Sequence, residues 1–532
     1  MVKKISTLAL AGLLALPAMA SAGAGGAAAA SDIQAQVDAL TRQLEQLKSE
    51  MAKVKAAPAP VSDQSSRIQA LEEKSEQWDL ASRIQLSGDF RARGDYYTAD
   101  TKAYYPMLVP LGAGGALVPN NGLLSGGVPV QMPDAQYDNK TMFTNRFRLD
   151  MRAKALEDVE FKGRLAMYKA WGHQNNPVYD VNGSPTMLMD SNATRQPNDS
   201  ILRVDRAFVN WNNIGGAPVW FSVGRRPTTD GPPNHLRMNQ DERMATPTAY
   251  MDWPFDGVSV GYAYNNLFGI QDAPGRVRIC WGRGFEDGLQ QDLNGNNLDD
   301  TDFTGVSWDI YKKGDRFAYI QSFLAMNIFN YPASDTYDAL GMTYSDVYNM
   351  PRENVGNLLH TSAVYMDKWQ NLNYFGSLGW SRTDPDGSGM FNGPATGVNT
   401  ESDDGYAVHV GVRYDIPDSL FKLGAEYNHG SKYWISMTPG HDDLYQSKLA
   451  TRGNVYEVYG IYDIPGGEAV SKYGKAFIRL GYQHYDYNYT GSGQWGFQPV
   501  DMDELLTDPN GAQMGAPIES ADQVYMTFEA AF

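Results

Sequence analysis

The chain has 532 residues, a formal net charge of -18 and only 20% charged residues, together with 53 glycines, 32 tyrosines and 11 tryptophans. Length alone fits two to four soluble domains, but this composition favours one large β-rich unit. The single cysteine, Cys280, excludes an intrachain disulfide, a cysteine-ligated zinc site and a CxxCH haem attachment. We therefore expect no cofactor, and we expect no nucleic-acid partner.

The first predicted element is a secretory signal peptide over residues 1–22. Lys3 and Lys4 precede an apolar run that ends at Met19, and Ala20-Ser21-Ala22 supplies the small residues of a cleavage site. The segment places the chain outside the cytoplasm.

A helix over residues 31–55 comes next, because apolar residues recur at alternating spacings of four and three. These positions are Ile33, Val37, Leu40, Leu44, Leu47, Met51 and Val54. Such a heptad pattern predicts a coiled coil that joins copies of the chain. The alternative is one amphipathic helix that packs on its own barrel. Residues 56–80 are predicted to form a Pro/Ala linker and a short helix.

From about Ala81 to Phe532 the apolar period changes from 3.5 to 2, which indicates β-strands. Residues 406–414 alternate Tyr and Val with Ala, His, Gly and Arg, and residues 421–427 repeat the pattern after a short turn. The last strand places Val524, Met526 and Phe528 on one face, with polar residues between them. Strands of this kind suit a wall with lipid on one side and water on the other.

The lengths of the connections alternate along the chain. Long polar segments fall near residues 98–142, 172–200, 227–254, 285–302, 329–356, 383–404, 430–452 and 489–521, and seven short turns separate them. Eight long and seven short connections predict an all-β transmembrane barrel of about 16 antiparallel strands, preceded by the α-helical coiled coil. An even count puts both termini on the periplasmic side. No later stretch approaches the roughly 20 apolar residues of a membrane helix, and the remaining alternative is a soluble periplasmic β-protein.

A barrel of this size encloses a water-filled lumen, so a pore is the expected function. The strand faces assigned to the lumen are rich in arginine. The predicted pore-lining residues are Arg91, Arg93, Arg146, Arg148, Arg152, Arg164, Arg206, Arg225 and Arg226, and one of the last two is expected to face inward. Basic rings favour anions. The alternative is that these arginines pair with acidic neighbours or inward loops and merely hydrate the wall.

Two loops carry separate hypotheses. The Gly/Pro-rich segment from Gly224 to Arg237 either folds inward and narrows the pore or forms an external turn. Asp292, Asn294, Asn296 and Asp299 have the oxygen spacing of a calcium loop, but the segment departs from an EF-hand at two positions, and a solvated acidic loop is the alternative.

A terminal Phe532 on an amphipathic strand resembles bacterial outer-membrane barrels, in which this ending is the signal read by the barrel-insertion machinery. Together with the signal peptide, the coiled coil, the Leu86–Arg93 strand and the Gly-Arg-Arg-Pro segment, the layout resembles the Gram-negative porins that are grouped as a domain of unknown function. It is also similar to trimeric anion-selective porins with an N-terminal coiled coil.

The resemblance implies passive diffusion of small hydrophilic solutes across the outer membrane, contact with outer-membrane lipid, and assembly into a homo-oligomer such as a trimer. The alternatives are a barrel that sheathes a multihaem cytochrome for electron export, and a plugged structural or adhesive barrel. The seven histidines lie in no HExxH motif and the chain has no phosphate-binding loop, so we expect no enzyme.

Overall fold

The computed structural model of the protein describes residues 84–110, 117–119, 129–172, 197, 199–226, 231–240, 250, 255–286, 298–330, 353–438, 443, 447–466 and 474–532. The predicted signal peptide, the coiled-coil helix from Ile33 to Val54, and the linker of residues 56–80 lie outside these ranges and stay predictions. No helix in the described part of the chain is long and apolar enough to cross a membrane.

Sixteen antiparallel strands close into one barrel, and β2 and β3 form a separate two-stranded sheet. The strands are β1 Ile84–Thr101, β2 Leu108–Pro110, β3 Leu117–Pro119, β4 Ala135–Lys154, β5 Val159–Ala170, β6 Arg203–Trp211, β7 Val219–Arg226, β8 Phe255–Tyr264, β9 Gly275–Phe285, β10 Thr301–Lys313, β11 Arg316–Phe329, β12 Asn354–Trp369, β13 Leu372–Pro385, β14 Asp404–Asp415, β15 Phe421–Gly430, β16 Gly453–Asp463, β17 Lys475–Tyr487 and β18 Ile518–Ala531. Short 3-10 helices lie at Ile214–Gly216 and Lys448–Ala450. The predicted strand number is confirmed.

Each barrel strand pairs with its neighbour in the chain, and β1 pairs with both β4 and β18. At this seam the backbone N–H of Gly88 donates to the carbonyl of Phe532 at 3.0 Å, and the N–H of Phe532 donates back at 2.9 Å. The Phe532 ring occupies the side-chain position of Gly88, because a Cβ there would lie 2.7 Å from a ring carbon. Only glycine leaves room for the terminal ring at the seam.

The seven short connections all lie at one end of the barrel and the eight long ones at the other, as predicted. The first long connection is shorter than the predicted 98–142. β1 continues to Thr101, where it still pairs with β18, and β4 starts at Ala135, opposite Thr101. β4 extends beyond its pairing with β5, which begins at Thr144, and sequence alternation is weak there because Ala135–Thr141 are exposed on both faces.

Burial alternates along the strands as it does in a closed wall. In β18 the side chains of Gln523, Tyr525, Thr527 and Glu529 are buried inside the barrel, and Val524, Met526 and Phe528 are exposed on its outer surface. The outer surface is therefore apolar and the inner one polar, which is the pattern of a barrel in lipid.

Candidate functional site

The inner surface of β1, β4, β5 and β6 forms an arginine-rich wall. It consists of six predicted pore-lining residues whose side chains are all buried inside the barrel: Arg91, Arg93, Arg146, Arg148, Arg164 and Arg206. Arg91 lies directly opposite Arg146 on the neighbouring strand, and Arg164 lies opposite Arg206. Like charges placed in this way destabilise a sheet unless counter-charges lie close by.

Carboxylates on the same strands supply these counter-charges. Asp89 accepts hydrogen bonds from Arg148 at 2.7 Å and from Arg146 at 3.2 Å. Asp150 accepts from Arg164 at 2.9 Å. The arginine-rich wall is thus an ion-pair network, and the arrangement follows the alternative reading in which acidic neighbours pair with the arginines.

The other three predicted residues lie at the ends of strands. Arg152 faces inward near the short-turn end and donates to Glu160 at 2.6 Å. Arg226 shares the inner face of β7 with buried Ser222, whereas Arg225 shares the outer face with exposed Val223 and lies 3.5 Å from Asp256. Of the adjacent pair, Arg226 therefore faces the lumen and Arg225 the outer surface, which agrees with the expectation that one of the two faces inward.

Residues 231–240 of the β7–β8 connection, called the crossing segment below, lie inside the barrel. β15 stands opposite β7 in the ring, since seven strands separate the two in either direction. The crossing segment binds the inner surface of β14–β17, where Arg413 donates to the Leu236 carbonyl at 2.8 Å and Arg479 donates to the Arg237 carbonyl at 2.9 Å. The segment folds inward as the first of the two loop hypotheses predicted.

The crossing segment extends to the short-turn end of the barrel. Asn239 donates to Asp463, the last residue of β16, at 2.8 Å, and accepts a hydrogen bond from Lys422 at 2.8 Å. Lys475, the first residue of β17, donates to the Asn239 carbonyl. Docking therefore runs over much of the length of the barrel.

A central ion cluster of Arg237, Glu426, Asp443, Lys448 and Glu457 holds this segment in place. Arg237 donates to Asp443 at 2.9 Å and to Glu457 at 3.0 Å, and Lys448 donates to Glu457 at 2.5 Å and also to Glu426. All five side chains are buried. Asp443 and Lys448 belong to the β15–β16 connection, so the cluster joins two loops to two strands.

Tyr525 connects the central ion cluster to the arginine-rich wall. Its hydroxyl donates to Glu457 at 2.6 Å. The guanidinium carbons of Arg93 and Arg479 lie 4.5 and 5.2 Å from the centre of its ring, within the range of cation–π attraction. The polar network therefore continues around the inside of the barrel.

Two loop residues have shifted proton affinities. Burial raises the pKa of Asp443, but Arg237 and Lys448 outweigh it and lower the pKa to about 2. Burial lowers the pKa of His235 to about 3, and the charges of Arg413, Lys312 and Lys475 act in the same direction. At neutral pH Asp443 is ionised and His235 is neutral.

Loops from the C-terminal half pack as a cap over part of the long-loop end. Phe391, Ile435, Met437 and Trp495 are buried there in one apolar cluster with residues of β8 and β10–β12. Arg452 donates to the carbonyls of Trp434 at 3.1 Å and Thr490 at 3.2 Å, and also to that of Gln494. One arginine thus fastens two loops.

Three of the four candidate calcium ligands, Asp292, Asn294 and Asn296, lie outside the described residues, which include Asp299. Asp299 exchanges two backbone hydrogen bonds with the side chain of Asn354. The described ranges contain no group of three potential metal ligands. The loop hypothesis stays a prediction.

Sequence reasoning missed the central ion cluster and Arg452. Glu426 and Glu457 stand on the inner faces of their strands, and their alternation with apolar residues was a signal for lumen acids. Nothing local predicts that Arg237, 220 residues away from Glu457, is their partner.

Comparison with known sequences and structures gives one family and several distant barrels. The model of a family described as a protein of unknown function (DUF3373) matches residues 136–532. No curated protein matches the chain.

Three solved structures share 9–11% identity with the chain. OmpT, an in-vitro folded outer membrane protein of Vibrio cholerae in trimer form, is 9% identical, with 84% of this chain and 99% of that chain covered and a TM-score of 0.37. Salmonella typhi OmpF in complex with daunomycin is 9% identical, with 84% and 97% covered and a TM-score of 0.38. The outer membrane channel DcaP of Acinetobacter baumannii is 11% identical, with 84% and 97% covered and a TM-score of 0.37.

Proposed function

The chain belongs to the DUF3373 family of proteins of unknown function, and we propose that it is an outer-membrane porin for passive diffusion of small hydrophilic solutes. The proposal is supported mainly by the closed sixteen-stranded wall, with an apolar outer surface and ionised side chains inside it. A barrel of this strand number is too wide for wall side chains alone to fill. Passive diffusion through such a barrel needs no catalytic residue.

The crossing segment is proposed to set the pore size. It is docked on the wall opposite its origin, so it narrows the lumen. A guanidinium-rich wall favours anions over cations at close range. We therefore propose a preference for anions, moderated by the carboxylates that pair with the arginines.

The test is single-channel conductance of the detergent-purified protein in a planar bilayer, under a salt gradient. Discrete steps with a reversal potential on the anion side are expected. A cation-side potential would overturn the anion preference, and a silent bilayer would overturn the porin. An absorbance scan for haem runs on the same sample.

A closed structural or adhesive barrel is the second candidate, and one observation favours it. Inner-wall side chains such as Arg91, Thr144 and Thr527 are completely buried, which indicates a lumen largely filled by loops. Silence in the bilayer without bound haem would support this role. The same filling leaves little room for a multihaem cytochrome, and haem that copurifies with the chain would be needed to revive that alternative.

The predicted N-terminal elements complete the proposal. We propose that residues 1–22 direct export, that the coiled coil of residues 31–55 joins chains in the periplasm, and that Phe532 is read by the barrel-insertion machinery. Chemical cross-linking of the full chain and of a variant with Leu40 and Leu47 replaced by Asp tests the second point. Loss of cross-linked oligomers in the variant is expected, and an unchanged pattern would exclude the coiled coil as the joining element.

A further inference from the structure

A groove on the inner surface of β7, β8 and β9 is built differently from the rest of the lumen. Three rows of residues cross these strands at the same heights. Gly224 lies opposite Gly257, which lies opposite Gly282. The next row consists of Ser222, Ser259 and Cys280, and the row below it of Trp220, Gly261 and Arg278. Arg226 stands above all three rows.

The glycine row makes backbone the floor of this groove. A Cβ at Gly257 would lie 2.1 Å from the carbonyl oxygen of Trp281, and one at Gly224 would lie 2.4 Å from that of Ala207. Gly224 also has a φ of 119°, a conformation that favours glycine. Side chains are thus excluded between Arg226 and the serine row, so the Arg226 guanidinium reaches across the floor to the Cys280 thiol.

Two arginines, Arg226 and Arg278, face this groove, and their surroundings differ. Arg226 and Arg278 lie close enough for their charges to repel, and within the described ranges no carboxylate contacts Arg226. Arg278 has the Tyr319 hydroxyl at 3.4 Å and Asp309 nearby. This separates the groove from the arginine-rich wall, where carboxylates lie between the guanidiniums.

The serine row supplies two further donors. Ser222 and Ser259 are each 1% exposed, and neither hydroxyl has a hydrogen-bond partner. Leaving a buried polar group without a partner destabilises the fold, so two neighbouring hydroxyls of this kind between two arginines indicate an acceptor that binds there.

We infer that this groove is a binding site for a small oxyanion, the carboxylate or phosphate group of a solute, held by Arg226, Arg278, Ser222 and Ser259. The planar guanidinium matches the two oxygens of such groups, and the hydroxyls donate to the remaining ones. An anion between the arginines also replaces their repulsion by attraction. The inference deepens the proposed porin function, on which it rests for solute access to the lumen.

The test uses Cys280, the single cysteine of the chain, as a reporter at the site. The rate at which a small thiol reagent labels the purified full-length barrel is measured with and without inorganic phosphate, at constant ionic strength. Phosphate is expected to slow labelling, and the double variant R226Q/R278Q is expected to need at least about tenfold more phosphate for the same protection. Each variant is compared with itself, because its thiol reactivity also changes without phosphate.

Two further variants separate binding from folding. S222A/S259A removes two idle hydroxyls and is expected to fold normally while it weakens the protection. R382Q is the matched control, since Arg382 pairs with Asp404 on an exposed surface away from the groove. In R382Q, phosphate should protect Cys280 as well as it does in the parent protein.

Equal labelling rates with and without phosphate in the parent overturn the site, as does protection that survives R226Q/R278Q. If Cys280 does not react, calorimetric titration with phosphate replaces the labelling assay. Binding heat in the parent protein that is lost in R226Q/R278Q supports the site, and no binding heat in the parent overturns it. Channel steps without protection of Cys280 support the porin function and exclude the anion site. Protection of Cys280 in a barrel that gives no channel steps supports the anion site and excludes the porin function.

Discussion

Replacing Arg237 by Ala removes the only side chain of the crossing segment that enters the central ion cluster. The change deletes the hydrogen bonds to Asp443 and Glu457 and leaves three buried carboxylates to share Lys448. Breaking a buried ion pair from one side costs about 3–5 kcal/mol, because the remaining charge stays buried without its partner. Lys448 still contacts two of the carboxylates, so we expect the lower end of this range.

A loss of about 3 kcal/mol lowers the ratio of docked to undocked segment roughly a hundredfold. The sheet keeps its hydrogen bonds, so the barrel should still fold and migrate as a heat-modifiable band on gels. With the segment released from the wall, single-channel recordings should show larger and noisier steps than the parent protein gives.

Two variants make this result interpretable. R382A removes an exposed pair and should leave the recordings unchanged, since such pairs contribute about 0–1 kcal/mol. The triple variant R237A/D443N/E457Q also removes the stranded charges and should recover part of the docking. Conductance of R237A equal to that of the parent, in a properly folded barrel, would refute the reasoning.

Three more predictions concern pH, the cap and the seam. Lowering the pH from 7 to 5 should weaken docking of the crossing segment by about 2 kcal/mol. In the released segment His235 takes up a proton below about pH 6.5, whereas the docked ring, with a pKa of about 3, stays neutral. Single-channel noise that does not change between pH 7 and pH 5, or a pH-dependent noise that persists in H235Q, would contradict this prediction. R452A should lower the free energy that holds the cap in place by about 2–4 kcal/mol, because three carbonyls lose one charged donor. Limited proteolysis should then cut residues 489–511 faster than in the parent protein, and R382A is again the control. G88V should slow barrel closure and lower the melting temperature of the heat-modifiable form, because its side chain occupies the position of the Phe532 ring; equal melting of G88V and of the matched outer-face variant A92V would exclude this role for the glycine.

The strand number was predictable because each hairpin is local. Every short turn and long connection is visible as a change in polarity, and alternation fixes which side chains face outward, as in residues 406–414. Sequence alone did not decide which of Arg225 and Arg226 faces inward, because both stand at the end of β7, where no following residue continues the alternation. The start of β4 was misjudged because β4 extends there beyond β5 and both of its faces are exposed.

The contents of the lumen were not predictable in the same way. The Arg237 side chain meets Glu457 across 220 residues of sequence, and Cys280 becomes a neighbour of Arg226 only through two strand registers. Such contacts depend on which loops turn inward, and that choice is made by the closed wall as a whole. A polar residue on the inner face looks the same in sequence whether water, an ion pair or a loop covers it.

The seam between β1 and β18 has a consequence for the order of folding. It pairs Asp89 with Ala531, nearly the full length of the barrel sequence, whereas the other strand pairs join neighbours along the chain. Because the entropic cost of closing a loop rises with its length, hairpins should zip first and the ring should close last. Until then β1 and β18 each present an open edge, and an open edge in lipid leaves backbone groups without partners. The slow step of assembly is therefore expected at this one joint, with Gly88 and Phe532 on its two sides.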